Sequence, residues 1–101
     1  FYYLLLSSSF SSTLSLSSSV LSDVQTSLKY TYMERMFQGA KLFNQSLNNW
    51  DISDVSNIRC MFAETILFNQ QLNNWNVSNV KYMDYMFYYS GMKQLPEWYM
   101  E

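Results

Sequence analysis

Apolar residues recur along this chain in two rhythms, and both return at a fixed distance. Between Tyr30 and Ala40 they fall at steps of three and four, as Tyr30, Met33, Met36, Phe37 and Ala40, the spacing of one helix face. Val55, Ile58, Met61 and Phe62 give a second such stripe, and Val80, Met83, Met86 and Phe87 a third. Each stripe predicts a helix of roughly ten residues, opened by Ser27, Asp54 or Asn79 as the capping residue, with Gly39 and Gly91 near two of the ends. Between the stripes Leu47-x-x-Trp50-x-Ile52, Leu72-x-x-Trp75-x-Val77 and Leu95-x-x-Trp98-x-Met100 place apolar residues alternately with polar ones. That alternation predicts short strands with one packed face and one wet face.

The distance between copies is 25 residues. Phe43-Asn-Gln-Ser-Leu-Asn-Asn-Trp-Asp-Ile-Ser-Asp-Val55 returns as Phe68-Asn-Gln-Gln-Leu-Asn-Asn-Trp-Asn-Val-Ser-Asn-Val80, and the units starting at Met36 and Met61 agree at 12 of 25 positions. Met86-Phe87 starts a third unit, shorter by two residues between its Met-Phe pair and Trp98. Consecutive strands joined through a helix run parallel, so the expected fold class is α/β: a short leucine-rich-repeat-like solenoid with one parallel strand and one short helix per 25-residue unit. Residues 27–101 would hold about three such repeats, truncated at the C-terminal end, with Pro96 at the start or exposed edge of its strand because proline cannot donate to a ladder.

Residues 1–26 read differently. The apolar run Phe1-Tyr-Tyr-Leu-Leu-Leu6 passes into ten serines between Ser7 and Ser22, too polar for a membrane span of about 20 apolar residues. Three readings stay open for this lead-in: a disordered segment, a degenerate cap strand and a signal-peptide remnant without its basic start.

Leu-x-x-Trp-x-Ile/Val-x-x-Val has the spacing of the leucine-rich-repeat consensus. Together with Met-Phe, Phe-Asn-Gln and Trp-Asp/Asn-Ile/Val-Ser-Asp/Asn-Val, it resembles the BspA-like repeat of bacterial surface lipoproteins over Met33 to Trp98. The resemblance implies a solenoid displayed at a cell surface and used for adhesion-type contacts with a protein or a glycan, with no catalytic residue to carry over. Any membrane association would come through an anchor outside this fragment. The second expectation is a purely architectural spacer in a larger multi-repeat protein.

Composition narrows the chemistry. The 101 residues carry six basic and eight acidic side chains, a net charge of −2, which argues against a phosphate-backbone footprint and so against nucleic acid. No histidine is present, which removes the commonest general base and metal ligand. Cys60 stands alone beside a core pair and reads as inert, and Asp51, Asp54 and Glu64 lack calcium-loop spacing. The expectation is a non-enzyme without cofactor or metal. The three tryptophans read as core, and the repeated Asn and Gln as loop-satisfying amides more than sugar ligands. The candidate contact face is the open side of the sheet: Asp51, Ser53, Asn76, Ser78 and Tyr99. Exposed sheet edges offer a route to self-association. Tyr82, Tyr85, Tyr88 and Tyr89 crowd the third predicted helix and read as a contact surface or as the covering for another repeat.

Overall fold

The computed structural model describes residues 32–99. Ser27, Tyr30, Met100 and the serine-rich lead-in of residues 1–26 lie outside them.

Among the described residues there is no helix and no strand, which overturns the expected α/β leucine-rich-repeat solenoid. The chain is a succession of turns. The cause lies in the backbone of the three stripes that read as helices. Arg35, Cys60 and Tyr85 take positive φ angles of 61°, 55° and 57°, and Gly39, Glu64 and Tyr89 take 78°, 61° and 56°. A left-handed residue every four positions cannot continue a right-handed helix. The bonds show the consequence. Met36, Gln38 and Ala40 donate to the carbonyls three residues back, at Met33, Arg35 and Phe37. The alternate residues turn their N–H groups out of the segment altogether.

Those groups find acceptors in a neighbouring turn segment. Met33, Arg35, Phe37 and Gly39 donate to the carbonyls of Asn57, Arg59, Met61 and Ala63 at 2.8 to 2.9 Å. Ile58, Cys60, Phe62 and Glu64 donate in the same way to Tyr82, Asp84, Met86 and Tyr88. Three turn segments, at residues 32–40, 57–65 and 82–90, thus lie side by side. The parallel alignment expected of strands shrinks to the isolated bridges Tyr32 to Asn57 and Asn57 to Tyr82. They sit ahead of the Met-Phe pairs, not at the tryptophans.

The alternation around the tryptophans has another origin. Trp50 and Val55 donate to the carbonyls of Leu47 and Ile52, and Trp75 and Val80 to those of Leu72 and Val77, each closing a turn. Successive turns bury the first and last residues of the first three and half-bury Val77 and Val80 in the fourth, which mimics the period of a strand. Asp54 and Asn79 have no helix to cap, and Asn79 donates its side-chain amide to the Ser53 carbonyl instead. Pro96 is buried, not at an exposed edge, and its carbonyl accepts the Tyr99 N–H in a turn.

Aromatic rings stack through the core. Phe37, Phe62 and Phe87 form a column with centroids 5.5 and 5.8 Å apart and planes within 3° of parallel. Phe43 and Phe68 form a second column 5.8 Å apart, joined to the first by stacked contacts of 4.5 and 4.3 Å. These separations suit offset-stacked rings. Trp50 and Trp75 are buried as the sequence reading expects. Trp75 stacks on Trp98 at 6.1 Å, and the indole N–H groups of Trp75 and Trp98 donate to the carbonyls of Leu47 and Leu72.

Candidate functional site

The amide-rich stretches serve the backbone. Asn44 Oδ1 accepts the Asn69 N–H at 2.9 Å, Asn69 Oδ1 the Lys93 N–H at 3.1 Å, Asn48 Oδ1 the Asn74 N–H at 3.1 Å and Asn73 Oδ1 the Glu97 N–H at 3.2 Å. Each bond satisfies a loop donor that has no secondary structure to join. A groove of about 230 Å³ beside them is lined by Asn69, Gln70, Asn73, Gln94 and Pro96 among others, but most of its amides already hold these partners.

Four of the residues expected to form an open contact face sit in local side-chain turns, in neighbouring loops joined by the Asn79 amide and the Ser53 carbonyl. Ser53 bonds back to Asp51 Oδ1 through its N–H at 3.0 Å and its hydroxyl at 2.6 Å, and Ser78 does the same to Asn76 Oδ1 at 3.1 and 2.7 Å. These are side-chain turns two residues long, and the Ser53 bonds hold the Asp51 carboxyl below its ordinary range. Asp51, Asn76 and Ser78 are exposed and Ser53 is half-buried, but no sheet aligns them. Tyr99 is elsewhere. It is buried edge-on against Phe87, centroids 5.1 Å apart, and ends the phenylalanine column.

The most developed cavity opens beside that tyrosine. A cleft of about 650 Å³ is lined by Lys81, Tyr82, Met83, Asp84, Tyr85, Tyr88 and Tyr99. Its wall is the turn segment of residues 82–90, whose apolar face (Met86 and Phe87) points into the core while Tyr82, Tyr85, Tyr88 and Tyr89 are 53 to 68% exposed. The left-handed backbone at Tyr85 and Tyr89 throws these rings outward. Tyr85 meets Tyr88 edge-on at 5.9 Å, and Tyr88 lies 4.4 Å from Tyr89. A hydrogen bond with Tyr89, reinforced by that residue's charge, pushes the Tyr88 phenol above its ordinary range.

Main-chain donors line the cleft as well. Met83 and Tyr85 stand where Met33 and Arg35, then Ile58 and Cys60, stand in the other two segments, and those four all donate to a neighbouring segment. Among the described residues the N–H groups of Met83 and Tyr85 have no acceptor.

A row of charges reaches the same wall. Arg59 Nη1 lies 3.7 Å from Glu34 Oε2, and Arg59 Nε donates to Asp84 Oδ2 at 2.6 Å. That hydrogen bond lowers the Asp84 pKa and raises that of Arg59. Glu34, Arg59 and Asp84 are spaced by 25 residues with alternating sign, a signal that was present in the sequence and not used. Cys60, next to Arg59 in the chain, is buried. Among the described residues no three His, Cys, Asp or Glu side chains converge as a metal site would require, and no helix is long and apolar enough to cross a membrane.

A family model described as "Mycoplasma protein of unknown function, DUF285" matches residues 5–99. The chain belongs to that family. No curated protein and no solved structure matches it. The resemblance to the BspA-like leucine-rich repeat is thereby corrected: the matching family is DUF285, and the described residues lack the strand-and-helix units which that resemblance requires. Both functional expectations drawn from it, the adhesion-type repeat module of a surface protein and the architectural spacer, rested on that solenoid and fall with it. For this DUF285 chain the tyrosine-walled cleft is the feature left to interpret.

Proposed function

We infer that the chain is a non-catalytic protein that binds an extended polypeptide segment of a partner in the cleft beside residues 82–85. One observation carries this reading: Met83 and Tyr85 line the cleft and their N–H groups have no acceptor among the described residues, in the register that joins neighbouring segments twice elsewhere in the chain. Main-chain carbonyls are the acceptors that this register fits. A sugar or a nucleic acid has no acceptor row of that spacing, and the net charge of −2 gives no attraction for phosphates.

The energy scale fixes what to look for. Two main-chain hydrogen bonds contribute about 0.5 to 1.5 kcal/mol each, far below the ~8 kcal/mol of a micromolar complex. Exposed tyrosine rings add contact area with little side-chain entropy to lose. A short peptide alone therefore binds in the millimolar range, and residence is brief.

Amide-resolved NMR on the isotopically labelled chain tests the reading. Titration with acetylated peptides of mixed sequence should shift the Met83 and Tyr85 amides and slow their hydrogen exchange, whereas oligosaccharides should leave both untouched. Peptide-induced shifts confined to other parts of the chain, or sugar-induced shifts at these two amides, would refute it.

A further inference from the structure

The charge row supplies a selectivity that main-chain bonding does not. At the first left-handed residue of each internal pairing, the residue whose carbonyl accepts its N–H also brings its side chain beside the charge of the preceding segment. Arg59 accepts the Arg35 N–H through its carbonyl and sets its guanidinium between Glu34 and Asp84. Asp84 accepts the Cys60 N–H and sets its carboxylate on Arg59. The residue of a bound segment that accepts the Tyr85 N–H therefore lands beside Asp84.

We propose that this position selects a basic side chain, so that the polypeptide taken by the cleft carries Lys or Arg opposite Asp84, with the tyrosine rings of the cleft as its walls. Signs alternate along the row from Glu34 to Arg59 to Asp84, and the next member of that order is a cation. Asp84 meets Arg59 through Oδ2, and the side chain is 51% exposed, so a second cation has access to the carboxylate. Tyr82, Tyr85 and Tyr88 line the same wall and are more than half exposed, and a cation that settles over a tyrosine face is attracted by the ring quadrupole. The opposing charge in the cleft is Lys81, which disfavours a cation near its own end and leaves the Asp84 end as the seat. The phenylalanine column does not extend to the occupant, because Tyr99 already covers the Phe87 ring.

This inference rests on the polypeptide-binding reading, and one experiment separates the two. The probe is the acetylated peptide Asn-Ile-Arg-Ser-Met, a copy of residues 57–61 with serine in place of Cys60, alongside versions with Gln or Asp in place of its Arg. Amide-resolved hydrogen exchange on the full chain gives the protection of Met83 and Tyr85 at each peptide concentration. The Arg peptide should bind about fivefold more tightly than the Gln peptide, as expected of one exposed ion pair with one cation–π contact, and the Asp peptide should bind weakest. In the Asp84→Asn variant the Arg and Gln peptides should become equivalent, and raised salt should narrow their difference in the wild type.

Equal protection by the Arg and Gln peptides overturns the basic-side-chain inference and leaves the polypeptide cleft standing. No protection by any of the three at millimolar concentration overturns both. Protection of the same two amides that grows with protein concentration, without peptide, assigns the cleft to a second copy of the chain and overturns the inference as well. Unchanged amide spectra outside the cleft show that Asp84→Asn remains folded.

Discussion

Phe37 and Phe62 lie face to face, their centroids 5.5 Å apart and their planes 2° from parallel. Phe62 also stacks on Phe68 at 4.3 Å and on Phe87 at 5.8 Å, so one fully buried ring joins two columns. Truncating it removes stacking on three sides at once. Phe62→Ala should destabilise the chain by about 3 to 5 kcal/mol, the range for buried aromatics, and chemical denaturation should show a fall in the midpoint. Phe43→Ala, at the outer column, should cost less.

Trp75 combines packing with a bond that fixes a turn. Its indole N–H donates to the Leu47 carbonyl at 2.8 Å, and the side chain is buried. Trp75→Phe keeps most of the ring and loses the donor, which leaves the Leu47 carbonyl with the Trp50 N–H alone. The expected loss is about 0.5 to 1.5 kcal/mol, read from denaturant unfolding and accompanied by faster hydrogen exchange in the turn at Leu47.

Gly91 is held close against the chain between Ile66 and Phe68. Its N–H donates to the Thr65 carbonyl, and a Cβ added there would collide with the Ile66 carbonyl oxygen and crowd that of Phe68. Backbone atoms cannot rotate away as a side chain can. Gly91→Ala should therefore cost about 1 to 3 kcal/mol, measured as a drop in thermal midpoint.

The Arg59–Asp84 pair predicts an acid-side effect of definite sign. Asp84 has a folded pKa below its ordinary 3.8, first because Arg59 hydrogen-bonds the ionised form. A depressed carboxyl pKa contributes stability that is fully present above the unfolded value and is lost as pH falls through the folded one. The thermal midpoints of wild type and Asp84→Asn should therefore differ by a constant amount above about pH 5 and converge below 3.8. Both side chains are about half exposed, so the difference is small and shrinks with added salt.

At the alkaline end the sign reverses. Tyr88 has a phenol pKa above its ordinary 10.0, held there by Tyr89. Stability from that contact is present below 10.0 and is lost as pH rises through the folded value. Ultraviolet titration should show one phenol ionising late in the wild type and earlier, nearer its ordinary value, in Tyr89→Phe.

The sequence made the inside of this protein legible and its backbone illegible. Met36, Phe37, Phe43, Leu47, Trp50 and their partners 25 residues on are buried as their spacing indicates, since burial follows directly from apolar side chains. The asparagines of the loops also read correctly, as partners for stranded N–H groups. Helix and strand did not follow. A stripe at steps of three and four fits a chain of three-residue turns as well as it fits a helix, and nothing in Arg35, Cys60 or Tyr85 marks a left-handed residue. Among the described residues, glycine stands at only one of the six positions with positive φ.

The candidate cleft was half visible. Four tyrosines crowded into Tyr82 to Tyr89 announce an exposed surface, and charges of alternating sign at residues 34, 59 and 84 announce a row. Their meeting with the Met83 and Tyr85 N–H groups depends on backbone direction, which no side-chain pattern carries.

By itself, then, the sequence determined which side chains leave water, which recur every 25 residues and which chemistries the absence of histidine makes remote. The tertiary structure decided where the main-chain hydrogen bonds go. An N–H that finds the carbonyl of Arg59, Met61 or Asp84 in a neighbouring segment cannot also close a helix of its own, and that competition is settled only when the segments lie side by side.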